Sequence, residues 1–195
     1  NLLQIIENNK LQSTHIQDYL YLSGIIHFKK EEYQESEYKL NLAQKIYDEM
    51  NSHYLNSRCL LDLMWLHFYQ GKFSELLKIN QELNKQKYFH SNLLLKAESF
   101  LILGNSAKRP GFPLETSSLD FYLEGIKYAE QFHIGEVTWQ LFLAAGEELL
   151  SKGIVKKGLE YINNSKTIID FLASQITDKN YLNSYIELKE RKRAI

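Results

Sequence analysis

Apolar residues recur at intervals of three and four along most of the chain, as in Leu20, Gly24 and His27 or in Leu141, Ala145 and Leu149. That is the period of one helix face, not the two-residue alternation of a strand. Neither an Asn-Gly nor an Asp-Gly pair is present to mark a hairpin. The two prolines, Pro110 and Pro113, both fall between Asn105 and Ser118, which leaves the remainder without the strongest helix breaker. Thr14 with Gln17, and Ser117 with Asp120, have the hydroxyl and the amide or carboxylate that satisfy orphan backbone donors at a helix start. Gly71, Gly104 and Gly153 read as stops, because glycine accepts the left-handed backbone that ends a helix. The pattern predicts an all-α chain of about ten helices joined mostly by short turns, which favour antiparallel neighbours.

The segment from His27-Phe28 to Tyr33 matches that from His67-Phe68 to Phe73, forty residues further on. Self-similarity at this spacing marks a stack of helix pairs. A common frame covers more of the chain: a small residue on a first helix, a glycine or polar turn seven residues later, and an aromatic two beyond that. Gly24, Glu31 and Tyr33 fit it, with Ala43 on the second helix; Met64, Gly71 and Phe73 follow with a bulkier residue at the small position, then Ala97 with Gly104, and then Gly146, Gly153 and Val155. Small residues let the next helix approach closely, and each pair buries its face against its neighbours. In this frame the chain resembles the tetratricopeptide (TPR) repeat superfamily over essentially its whole length. The resemblance implies a right-handed α-α superhelix, a solenoid of about four helix pairs plus terminal helices, as a single array over 1–195. Its expected units are 14–50, 52–87, 90–133 with a loop insertion at 105–118, and 135–174, followed by a capping helix at 178–193.

Toward the C-terminus, Tyr128-Ala129-Glu130-Gln131-Phe132, Trp139, Leu143-Ala144-Ala145-Gly146 and Lys152-Gly153 are similar to the helical repeats of large bacterial multidomain signalling and transcription-regulator ATPases or kinases. The closing stretch of Leu172-Ala173, Asp178, Tyr181-Leu182, Ser184-Tyr185-Ile186 and Arg191 to Arg193 is similar to the way those arrays end. The resemblance implies a regulatory sensor or docking region beside an ATPase or kinase module and an output domain. Asn1 opens directly onto the apolar Leu2, Leu3, Ile5 and Ile6, so the chain is expected to be a segment of a longer protein.

At 195 residues with 44% apolar composition the chain fills a sizeable core without staples. A net charge of −1 supplies no global field toward nucleic acid or an anionic membrane. The single Cys59 cannot form an intramolecular disulfide, and neither a signal peptide nor a membrane-spanning apolar run is present, so a cytoplasmic location is expected. Phosphate-binding, nucleophile-elbow and zinc motifs are missing. The six histidines, at 15, 27, 53, 67, 90 and 133, never fall three or four apart, so no helix presents two to one metal. No catalysis, cofactor or metal is expected. His27 and His67 read as satisfied core histidines, Cys59 as a buried inert thiol, and Glu147-Glu148 and Asp48-Glu49 as solvated faces. The basic end, Lys189 and Arg191 to Arg193, reads as compensation of a helix dipole.

In a TPR-like array the inner surface comes from the first helix of each pair. That frame assigns Tyr21, Ile25, Phe28 and Lys29 in the first unit, and Arg58, Leu61, Trp65, Phe68 and Tyr69 in the second. Tryptophan, tyrosine and arginine dominate binding hot spots, although the same aromatics would also serve as core. The insertion containing Phe112 between the two prolines is expected either to cross the groove or to form a surface loop. The expected function is a non-catalytic protein-interaction scaffold that takes a peptide or a partner domain, including one of the same chain, with no nucleic acid, membrane or metal as partner. The alternatives are a small-ligand sensor with a closed pocket around Trp65, and an intramolecular scaffold that packs the Leu2 to Ile6 stripe on a preceding domain.

Overall fold

A computed structural model describes residues 15–131 and 135–187. Among them are ten α-helices and no strand: α1 Ile16–Lys29, α2 Tyr33–Glu49, α3 His53–Gln70, α4 Phe73–Leu83, α5 Lys87–Ser91, α6 Leu93–Ala107, α7 Ser118–Ala129, α8 Glu136–Ser151, α9 Val155–Ser174 and α10 Lys179–Ile186. None of the described helices is long and apolar enough to cross a membrane. Two compact units divide the chain after Leu95, inside α6. Consecutive helices are the packing partners in each: α1 with α2, α2 with α3 and α3 with α4 in the first, and α7 with α8 and α8 with α9 in the second.

The turns repeat one geometry. Glu31, Gly71 and Gly153 have left-handed backbone, with φ of 61°, 70° and 77°. In each case two reversed bonds close the helix: the N–H of Glu31, Gly71 and Gly153 donates to the carbonyl of Phe28, Phe68 and Leu150, and the next N–H donates to that of His27, His67 and Leu149. This satisfies carbonyls that a helix end would otherwise orphan. Asn51 ends α2 in the same way at φ 54°, with bonds to Asp48 and, from Ser52, to Tyr47. The frame that placed Glu31 opposite the two glycines therefore corresponds to one shared turn.

Small residues set the distance between paired helices. A Cβ on Gly24 would lie 2.8 Å from Leu40 Cγ, and one on Gly146 would lie 2.9 Å from the carbonyl oxygen of Gly158. Ser36, buried and twelve residues beyond Gly24, donates its hydroxyl to the Gly24 carbonyl at 2.9 Å; Gly158 holds the same offset from Gly146. Around these contacts Leu20, Ala43, Tyr47 and Cys59 form a core in the first unit, and Trp139, Leu143 and Ile169 form one in the second. The middle helix α3 is buried on almost every side, with Cys59 to Met64 and Leu66 to Phe68 all inside, so it shows no single apolar stripe.

One expectation changes. Gly104 does not stop a helix: α6 runs on to Ala107, and a Cβ there would fall 2.3 Å from the Tyr122 ring. Its glycine serves close packing against α7, where Tyr122 also donates its hydroxyl to Asn105 Oδ1 at 2.8 Å. The short α5 was not foreseen, since five residues carry too little periodicity to read. Phe112 is half-buried and meets Phe121 edge-on at 6.4 Å. The expected start at Ser117 does hold, its Oγ accepting from the Asp120 N–H at 3.2 Å. Thr14, the Leu2 to Ile6 stripe, His133 and the basic residues from Lys189 to Arg193 lie outside the described residues.

A non-glycine residue with left-handed backbone costs about 1 kcal/mol or more, partly offset by the unfolded-state entropy of glycine. Glu31→Gly is therefore expected to raise stability by about 0.5–1 kcal/mol and Gly71→Ala to lower it by about 1 kcal/mol. Urea-unfolding midpoints check both.

Candidate functional site

The last turns of α1 and α3 bring four aromatic rings into one cluster. Phe28 meets Tyr69 edge-on at 5.5 Å. Trp65 lies 5.7 Å from Phe68 and 6.3 Å from Tyr69, and Phe68 lies 5.2 Å from Tyr69. Tyr33, at the start of α2, joins through Phe28 at 6.3 Å. Such separations are those at which aromatic pairs attract. Trp65 and Phe28 are half-buried, and Tyr69 is 52% exposed. The exposed Lys29 ammonium lies 5.8 Å from the Phe28 ring centroid.

One to three turns earlier on the same helices, Asp62 binds two of the expected residues. Arg58 donates from Nε to Asp62 Oδ2 at 3.2 Å and from Nη2 to Oδ1 at 2.7 Å, a paired geometry that suits a planar guanidinium. Tyr21 donates its hydroxyl to Asp62 Oδ2 at 3.0 Å across from α1. Burial, followed by the Asp62 charge and hydrogen bond, pushes the Tyr21 phenol upward. This network ties α1 to α3 beside the aromatic cluster.

Of the nine expected residues, Phe28, Trp65, Phe68 and Tyr69 therefore share one cluster, Tyr21 and Arg58 share one carboxylate, and Ile25 is half-buried on α1. Two are corrected. Leu61 is 0% exposed and Phe68 is 8% exposed, because α3 has neighbours on both sides; they support the face from within and do not present themselves to a partner. Asp62 and Tyr33 were missed. The Arg58-to-Asp62 spacing of four on a helix was the available signal for the first; for the second there was only its aromatic character at the turn.

The other titratable groups separate by environment. Cys59 is fully buried, and desolvation, then the Asp62 charge, pushes its thiol up to about 12, which makes it a poor nucleophile. Glu148, expected on a solvated face, is half-buried and pairs with Lys108 and Lys152, each at 3.5 Å. His27 pairs with Glu32 across the turn. His67, at the equivalent repeat position, is buried, with the Gln70 side chain as the group its ring interacts with. Lys72 stands where Glu32 stands after His27, and it pairs instead with Glu37 at 3.0 Å. Burial lowers the His67 pKa, ahead of the opposing influence of Glu37. No group of three or more histidine, cysteine or acidic side chains among the described residues could hold a metal ion.

Compared with known proteins, the chain matches no family model, and no curated protein or solved structure matches it significantly.

Two outcomes follow. Asp62→Ala leaves the Arg58 charge and the Tyr21 hydroxyl without their acceptor, and a loss of about 2–4 kcal/mol in stability is expected from chemical denaturation. His67 is neutral in the fold, with a depressed pKa, so its contribution is complete above the ordinary histidine value near 6.5 and is lost as pH falls below it. Stability should decline there by up to about 1.4 kcal/mol per pH unit, and His67→Phe should flatten that part of the profile in urea titrations from pH 7.5 to 5.

Proposed function

We propose that the chain is a tetratricopeptide-type solenoid array that acts by non-covalent recognition, taking a peptide or a partner domain on the inner face of α1 and α3. The observation that carries this reading is the aromatic cluster of Phe28, Trp65 and Tyr69, partly open to solvent at Tyr69 and braced from below by the buried Phe68. Rigid aromatic side chains on an ordered support lose little entropy on binding, and they dominate the energetics of interfaces. Helices hold such a face more firmly than loops do. The shared turn at Glu31, Gly71 and Gly153, and the close approaches at Gly24 and Gly146, support the repeat reading. The sequence resemblance extends the proposal to a regulatory module of a cytoplasmic bacterial signalling protein, with an output carried elsewhere. No catalytic role belongs to it.

The test compares the chain with a Trp65→Ala, Tyr69→Ala double variant against candidate peptides and partner domains, by calorimetric titration. Circular dichroism shows whether the variant keeps its helices. A loss of affinity of about a thousandfold in the folded variant is expected, since two hot-spot truncations remove about 2 kcal/mol each. Unchanged binding would assign these rings to structural support and remove the proposal.

A further inference from the structure

The opposite end of α3 carries a second feature that the aromatic face does not use. The end of α2, the first turn of α3 and the short α5 enclose a concavity of about 510 Å³, lined by Asp48, His53, Asn56, Gln86, Lys87 and Tyr88 among others. That volume lies in the range of small-molecule sites. Trp65 is not among the residues that line it.

Its walls are built, not incidental. Asn56 is 3% exposed; its amide donates to Asp48 Oδ1 at 2.6 Å, while its oxygen accepts from Gln44 at 3.4 Å and Gln86 at 3.5 Å. The Gln86 oxygen in turn accepts from the buried Ser57 at 2.7 Å. Asp48 and the Asn56 and Gln86 amides are thereby fixed in orientation. On the other side His53 and Tyr88 present nearly parallel rings, 6.3 Å apart and 26° from coplanar, and the Tyr88 hydroxyl accepts from Asn92 at 3.3 Å.

The charges decide the ligand. The residues lining the cavity include one acid, Asp48, whose carboxylate holds the Asn56 amide, and one base, the exposed Lys87. Glu82 stands near enough to Asp48 to feel its charge, with Lys85 opposing it. A simple cation meets attraction at Asp48 and repulsion at Lys87, and a simple anion meets the reverse. A dipolar molecule can satisfy both, and a flat apolar group on it covers the His53 and Tyr88 rings. We propose that this cavity binds a zwitterionic α-amino acid with an aromatic side chain, its ammonium toward Asp48 and its carboxylate toward Lys87. The proposal is independent of the aromatic face on α1 and α3.

The test is an NMR titration of the whole chain with L-phenylalanine, phenethylamine and 3-phenylpropionate, which share the ring and carry both charges, the positive alone or the negative alone. Saturable shifts at His53, Asn56 and Tyr88 are expected with L-phenylalanine, with affinity about tenfold or more above either analogue, as one charge-assisted contact is worth. Lys87→Ala, an exposed substitution with no partner to lose, and Asp48→Asn should each weaken L-phenylalanine about tenfold. The Trp65→Ala, Tyr69→Ala variant should bind it unchanged. Equal affinity for phenethylamine or 3-phenylpropionate, tighter binding in Lys87→Ala, or no saturable shift with any probe at millimolar concentration would overturn the proposal.

Discussion

Helices in this protein can be no closer together than their facing residues allow, and most of the rest depends on that. At Gly24 against Leu40, and at Gly146 against Gly158, even a methyl group would collide. Close approach of this kind increases dispersion contact along the full length of both helices. It also lets one helix reach the other's backbone, as the Ser36 hydroxyl reaches the Gly24 carbonyl. Two elements locked in this way behave as one rigid piece, and the left-handed turn at Glu31 or Gly153 fixes how the second leaves the first.

The position of α3 follows from the same constraint. With α2 on one side and α4 on the other, its middle has no solvent face, so the polar groups it carries there must be satisfied internally. Asp62 meets this demand through Arg58 and Tyr21. What α3 can offer the outside is confined to its two ends. The C-terminal end gives Trp65 and Tyr69, the N-terminal end gives His53 and the edge of Asn56, and a helix rise of 1.5 Å per residue puts them about 20 Å apart. An apolar, aromatic face and a polar cavity thus lie at opposite ends of one helix.

Helix content and several turns were legible because each rests on local rules. Ser117 caps α7 as its spacing with Asp120 implied, and Gly71 and Gly153 end their helices as glycine permits. Gly104 shows where local rules stop: a glycine that ends a helix and one that admits a neighbour look the same in sequence. Only the Tyr122 ring packed against it distinguishes the two roles. The candidate face was legible to the same extent. Periodicity put Leu61, Trp65, Phe68 and Tyr69 on one helix, but burial is a property of what lies opposite, and it withdrew Leu61 and Phe68 into the core.

The sequence by itself determined that this protein is helical, that one helix starts at Ser117 and two end at Gly71 and Gly153, and that the turn after His27-Phe28 matches the turn after His67-Phe68. These follow from hydrophobic period, capping chemistry and the conformational range of glycine, which act within a few residues. Tertiary structure decided which aromatic rings meet, which carboxylate receives Arg58 and Tyr21, and that Asp48, Asn56, Gln86 and Tyr88 enclose a cavity. Those outcomes join residues distant along the chain, and they depend on how closely neighbouring helices approach, a distance that no local pattern encodes.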